Sequence, residues 1–221
     1  MSSAQESVIS TPELLEHTLS LLPMRDLLVA APLVSRTWHT ITLSPTIQRA
    51  LFFNPDPSAT VPVQNPLLAE IFPPFFASEC EENRFWGTAY SIKEMPWADA
   101  PDAFKRANAS WRRMLVTQPP TQTMVIVHRS SGMGGSSERR AVVNDLSLRM
   151  GLLYDIMLPL VHNASFSLCW NNGEGDLTIS LRTSVSCTPR RRPRILDERF
   201  ESEAKEQVHI DFGEWVGIGW R

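Results

Sequence analysis

With 221 residues, 43% of them hydrophobic, the chain is long enough for one medium domain with its own buried core and a small module beside it. A net charge of −3 and a pI near 6.0 give no overall basic field, which excludes nucleic acid as an implied partner. Three widely spaced cysteines, Cys80, Cys169 and Cys187, with no C-x-x-C pattern, suit packing in a reducing compartment better than a disulfide or metal framework.

The first elements are short, apolar and helical. Thr11 as N-cap with Pro12 at the first helical position, or Ser10 and Glu13 as a capping box, starts a helix. Leu14, Leu15, Thr18, Leu19 and Leu22 form one stripe along it, which ends at Pro23. A second helix over Asp26–Ala31 carries Leu27 and Leu28 and stops at Pro32. The spacing of Val34, Trp38 and Ile41 predicts a third that ends at Ser44-Pro45, and Ser44 caps a fourth. About forty residues bury too little surface to offset their ordering entropy alone, so the segment reads as a module that needs a partner. It contains no reactive constellation. No signal peptide is expected from residues 1–10, and no membrane span, because Leu14 to Leu33 is broken by Glu16, Pro23, Arg25, Asp26 and Pro32.

The run Glu13-Leu14-Leu15, Leu19, Leu22-Pro23, Asp26-Leu27-Leu28 and Val34-Ser35-Arg36-x-Trp38 resembles the F-box. The resemblance implies a substrate receptor of a cullin-RING ubiquitin ligase, whose helices dock on the small Skp adaptor through the leucine stripe and the Leu-Pro turn. The adaptor-binding residues it implies are Pro12, Leu14, Leu15, Leu19, Leu22, Pro23, Leu27, Leu28, Val34 and Trp38. Thr18 stands where the family usually has Ile or Leu. Such a receptor works in the cytoplasm or nucleus, with the adaptor and cullin as partners and a protein client of unknown identity. Downstream, NPLLAEIFPPFF, ASWRRMLVTQPP and LRMGLLYD look like segments shared by filamentous-fungal F-box proteins, which extends the resemblance over roughly residues 8 to 160.

Residues 54–64 read as a linker rich in Pro and small polar residues, dividing an F-box module over 8–53 from a domain over 65–221. Asn65 then caps a short helix with Pro66 at its first position and Leu67, Leu68 and Ile71 apolar. Residues 72–106 are dense in Pro and aromatics, with little periodicity, and predict packed coil. Ala109–Val116 predicts a helix with Trp111, Met114 and Leu115 on one side, stopped by Gln118-Pro119-Pro120. Met124–Val127 is a short β-rich run. Leu146, Met150, Leu153 and Met157 follow helical spacing until Pro159.

Phe166, Leu168 and Trp170 alternate with polar residues before the turn signal Asn171–Asp176, and Leu177, Ile179, Leu181, Thr183 and Val185 alternate after it, which predicts a β-hairpin. Val208, Ile210 and Phe212 predict a further strand in the same sheet. The fold class expected is therefore α+β: a helical module of three or four helices, followed by a small antiparallel sheet with a few helices.

Ser130–Ser137 has the glycines of a phosphate loop without the G-x-G-x-x-G or G-K-S/T spacing that a phosphate needs, so it reads as a flexible loop. His17, His39, His128, His162 and His209 are scattered, with no H-E-x-x-H and no G-x-S-x-G. The chain is thus read as a non-enzyme with no catalytic, metal or cofactor-binding residues and no cofactor, acting by proximity between client and ligase. Arg190, Arg191, Arg192 and Arg194, kept in a loop by Pro189 and Pro193, form a candidate client-binding run. Two other classes stay open on the residues alone: an F-box-like protein that pairs with the adaptor outside any ligase, and an enzyme whose site is assembled from scattered residues.

Overall fold

The computed structural model describes residues 11–76, 104, 106–132, 135–144, 147–161, 165–170, 177–184, 214 and 216–218. They fold as mixed helix and sheet, α+β, in two compact units, Met1–Thr60 and Val61–Arg221.

The first unit is five helical segments among its described residues: α1 Pro12–Ser20, α2 Met24–Val29, α3 Ala31–Val34, α4 Arg36–Thr42 and α5 Pro45–Ala50. Each is too short to hold itself by propensity, so the ends carry much of the order. Thr11 occupies the N-cap of α1 but its side chain makes no capping hydrogen bond, contrary to the sequence reading; Ser10 of the alternative capping box lies outside the described residues. Two serines do cap helices, Ser35 for α4 and Ser44 for α5. The Ser35 hydroxyl accepts from the Trp38 N–H at 3.2 Å and the Ser44 hydroxyl from the Ile47 N–H at 3.3 Å.

Two boundaries differ from those expected. Pro32 neither stops the second helix nor sits inside it: it takes the second position of the one-turn α3, where its missing N–H has no partner to lose. Val34 belongs to that turn, because Ser35 is extended and starts α4 afresh. At its far end α5 closes with the Phe52 N–H on the Arg49 carbonyl at 2.9 Å and the Phe53 N–H on the Gln48 carbonyl at 2.8 Å, the Schellman pattern. The left-handed position, which favours glycine, is held by Phe52 with φ 60° and a buried side chain.

The second unit contains α6 Pro66–Ile71, α7 Pro73–Phe76, α8 Ser110–Arg113 and α9 Met150–Val161 among its described residues, with two sheets. β1 Val63–Gln64 pairs antiparallel with β2 Thr117–Gln118. The larger sheet has the order β5-β6-β3-β4-β7, from β3 Thr123–Gly132, β4 Gly135–Asn144, β5 Ser165–Trp170, β6 Leu177–Ser184 and β7 Val216–Ile218. It is mixed, not antiparallel as expected: β6 lies parallel to β3, with Met124 opposite Leu177 and Ser131 opposite Ser184. Alternation marks which residues make strands but does not name their neighbours, and parallel pairing needs a long crossover, here through β4, α9 and β5.

Other expectations shift as well. The run at Met124–Val127 is the start of a ten-residue strand, and the supposed Gly-Ser loop is mostly the tip of the β3–β4 hairpin, with Gly132 opposite Gly135. β5 and β6 form the expected antiparallel pair, Trp170 opposite Leu177. The strand expected at Val208–Phe212 lies outside the described residues, and the one that pairs with β4 is β7. The helix expected over Ala109–Val116 is only α8. Met114 turns extended and Val116 bonds Leu148 instead, N–H to carbonyl at 3.1 Å. α9 runs two residues past Pro159.

The core of this unit collects Phe72, Phe75, Trp111 and Tyr154 at centroid distances of 5.0 to 6.3 Å along the contacts Phe72 makes with the other three. Burial holds the Tyr154 phenol well above its usual range. Helix α9 comes close enough to α8 that a Cβ on Gly151 would lie 2.9 Å from the Arg112 carbonyl oxygen, so glycine is required there. The buried Arg112 is ion-paired with Asp155 and its guanidinium carbon lies 5.3 Å from the Trp111 ring centroid. Trp170 ties β5 to α7: its Nε1–H donates to the Phe75 carbonyl at 2.9 Å and its ring stacks on Phe76.

Asn65 uses both ends of its side-chain amide. It is fully buried, its Oδ1 accepts from the Leu67 and Leu68 N–H groups at 3.1 Å each, and its Nδ2 donates to the Leu115 carbonyl at 3.2 Å. One residue therefore caps α6 and fastens it to the strand that enters β2. Asn65→Ala leaves three backbone groups unsatisfied and should lower unfolding free energy by about 2–4 kcal/mol in denaturant titration. Asn65→Asp keeps the cap but loses the donor toward Leu115, and it should unfold at a denaturant concentration between those of the wild type and Asn65→Ala.

Candidate partner-binding site

The ten residues singled out in the first unit fall into three groups. Leu15, Leu19 and Leu27 are fully buried and make the unit's own core with Ala31, Ile41, Ile47 and Leu51. Leu22, Leu28 and Trp38 are partly buried against that core. Pro12, Leu14, Pro23 and Val34 are exposed. The leucine stripe of α1 is thus split: Leu15 and Leu19 face inward, while Leu14, one residue earlier, faces water, as does Thr18, whose hydroxyl donates to the Leu14 carbonyl at 2.7 Å. Leu15, Leu19 and Leu27 support the surface from below and have no area left for a partner.

Four large apolar residues that the sequence reading did not single out are exposed as well: Leu21 at 74%, Val29, Leu33 at 82% and Leu43. Each lies at the end of a short helix or just past it, beyond the reach of a periodicity argument. Shortness itself is the signal that finds them, since a helix of one or two turns has its last apolar residues at a frayed end. Burying any one of these leucines against a partner is worth about 1.5–3 kcal/mol. The unit holds six exposed large apolar side chains among its described residues, Leu14, Leu21, Val29, Leu33, Val34 and Leu43.

A polar latch fixes α1 to the start of α5. The Ser44 hydroxyl donates to Glu16 Oε1 at 2.7 Å while accepting from Ile47, and Gln48 Nε2 donates to the Thr42 carbonyl at 2.8 Å. The Ser44 bond, with a further one from Thr46, holds the Glu16 carboxyl below its usual range against a small opposing effect of burial.

In the second unit the charged groups cluster on the β3–β4 hairpin. Glu138 is buried and bonded by Arg129 Nε at 2.7 Å and Arg140 Nε at 2.6 Å, which keep its carboxyl below the usual range. His128 Nδ1 lies 3.3 Å from Arg139 Nε, and burial first, then the Arg139 charge, keeps the imidazole neutral to lower pH than usual. Arg190, Arg191, Arg192 and Arg194 lie outside the described residues. Among the described residues no group of three or more His, Cys, Asp or Glu is placed to hold a metal ion, and no helix is long and apolar enough to cross a membrane.

No family model matches the chain, and neither a curated protein nor a solved structure matches it.

A lowered carboxyl pKa in the folded state contributes stability that is present above the unfolded value of about 4.3 and is lost as pH falls through the folded value. Glu16 should therefore titrate below that value when its side-chain carbon is followed by NMR. In Ser44→Ala, which removes the stronger donor, its midpoint should move up toward the ordinary value, and loss of the cap should cost about 1 kcal/mol.

Proposed function

We propose that the first unit is an F-box-type anchor that binds the Skp adaptor of a cullin-RING ubiquitin ligase, and that the second unit presents a protein client to the ligase. The observation that carries this reading is the division of the leucine motif: a sixty-residue unit closes a core with Leu15, Leu19 and Leu27 and still leaves six large apolar side chains in water among its described residues. Exposed apolar surface at that density on so small a unit is costly in solubility and is offset when a partner covers it. The order Leu-Leu, Leu-Pro, Asp-Leu-Leu, Val-Ser-Arg-x-Trp supports an F-box over other helical modules. Within this reading the adaptor meets Leu14, Leu33 and Val34 with the half-buried Leu22, Leu28 and Trp38 at their margin, whereas Leu15, Leu19 and Leu27 act from the core.

The role is binding, not bond-making. Holding a client beside a charged ubiquitin carrier raises the effective concentration of its lysines, and that proximity is the receptor's contribution to rate.

Exposure makes the test clean. Leu33→Asp with Val34→Asp changes two surface positions, so the chain should keep its far-ultraviolet circular dichroism and melting temperature within about 3 °C. Charge placed in an apolar contact costs several kcal/mol, and recovery of purified Skp adaptor on the variant should fall more than about a hundredfold. Full recovery of the adaptor by the folded double variant removes the F-box reading. The paired control, Leu19→Asp, should instead unfold the unit.

A further inference from the structure

The residues of α1 turn by about 100° each, which sorts their side chains around the helix axis. Leu15 and Leu19 point into the core. Glu16 lies on one flank of that pair, where its Oε1 accepts from the Ser44 hydroxyl at 2.7 Å and Thr46 adds a second side-chain bond, so this flank is tied to the start of α5. Leu14 and Thr18 lie on the other flank, one helical turn apart, and Leu21, which closes the helix in right-handed geometry, follows three residues later. All three are exposed, Leu14 at 47% and Leu21 at 74%. Positions i, i+4 and i+7 of a helix fall within about 60° of one another, so the three side chains form one strip.

Thr18 is the polar member of the strip, and its rotamer removes most of that polarity. Its hydroxyl donates to the Leu14 carbonyl at 2.7 Å, one turn back. A hydroxyl has one hydrogen to give, and this bond uses it. A side chain whose O–H is satisfied inside its own helix enters an apolar contact without stranding a donor, which is the usual penalty for burying a hydroxyl. With the oxygen committed to Leu14, the γ-methyl is the group left to meet a neighbour. Glu13 and His17, both exposed, border the strip on its solvent side, so an apolar centre meets a polar rim as it does in protein interfaces.

We infer that Leu14, the γ-methyl of Thr18 and Leu21 seat together against an apolar wall of the adaptor, and that Thr18 takes part through its methyl while asking no hydrogen bond of the partner. This assignment rests on the anchor reading and deepens it: the contact extends along α1 to Leu21, and the adaptor surface opposite Thr18 is apolar. The strip is continuous with Leu14, which already belongs to the proposed contact, and it lies on the flank away from the Glu16–Ser44 tie, so α5 does not occupy it. Thr18 then sets specificity by shape. A larger or charged side chain there meets the same wall that accepts a methyl.

The experiment measures the affinity of the full chain for purified Skp adaptor by titration calorimetry, with circular dichroism confirming that each surface variant is folded. Thr18→Val exchanges the hydroxyl for a methyl at nearly constant shape and should bind within about twofold of the wild type. Thr18→Ser keeps the hydroxyl and loses the methyl, and it should bind about fourfold more weakly. Leu21→Ser should weaken binding at least about tenfold. Thr40→Ser is the control: the exposed Thr40 on α4 also bonds a carbonyl one turn back, that of Arg36 at 3.0 Å, and its methyl should not matter. The opposite ranking, with Thr18→Val weakened and Thr18→Ser unchanged, would mean that the hydroxyl reaches the adaptor and would overturn the assignment. Unchanged affinity in Thr18→Ser or in Leu21→Ser, or an equal loss in Thr40→Ser, would overturn it too. Wild-type binding with any of these results leaves the anchor reading standing, whereas a wild-type chain that does not bind the adaptor removes both.

Discussion

A helical unit of some sixty residues has room for a single layer of buried side chains, and in the first unit that limit governs everything else. Leu15, Leu19, Leu27, Ile41, Ile47 and Leu51 fill the layer, and the remaining large apolar residues have nowhere inside to go. None of the five helices has length enough to form unaided; hydroxyl caps at Ser35 and Ser44 fix where α4 and α5 begin, and the Schellman close at Phe52 fixes where α5 ends. Phe52 shows how tightly the layer constrains the backbone. Its left-handed conformation costs about 1–2 kcal/mol for a residue with a Cβ, and burial of the ring offsets that cost.

The second unit solves the opposite difficulty, that of burying polar groups. Asn65 satisfies three backbone groups with one amide, Trp170 spends its indole N–H on a carbonyl of α7, and Arg112 enters the interior with Asp155 beside it and aromatic faces around it, although its Nη1 is buried without a hydrogen-bond partner. These contacts hold α6 to the segment that leads into β2, α7 to β5, and α8 to α9. One face of the sheet buries Met124, Ile126, Ala141 and Leu177, and the other carries the Arg129–Glu138–Arg140 network beside the buried Val127.

The sequence carried the helices and hairpin well where composition and spacing act locally: Ser44 and Asn65 as caps, Pro23 as a break, and the alternation of Phe166, Leu168 and Trp170 against Leu177 and Ile179. It failed where the deciding contact is distant. Nothing in Thr123–Gly132 announces that Leu177–Ser184 will lie parallel to it, and nothing in Trp111–Val116 announces that the chain leaves the helix to bond Leu148. For the candidate site, periodicity picked out the apolar stripe but could not divide it between interior and surface. That division turns on packing: Leu14 and Leu15 are neighbours in sequence with opposite fates. Glycine and serine at Ser130–Ser137 read as flexibility, yet strand pairing absorbs most of them.

The parallel pairing of β3 with β6 also sets an order of events during synthesis. The buried residues of the first core lie within residues 15 to 51, and the side chains packed against them reach only to Phe53, so that unit can close soon after it leaves the ribosome. Strand β3 cannot. Met124 must wait for Leu177, and in that interval the side of β3 that β6 will cover presents unpaired backbone groups alongside Met124, Val125, Ile126 and Val127. A nascent chain paused anywhere in that stretch would thus consist of a finished helical unit followed by an open, apolar sheet edge, and that edge is where a chaperone would be expected to bind.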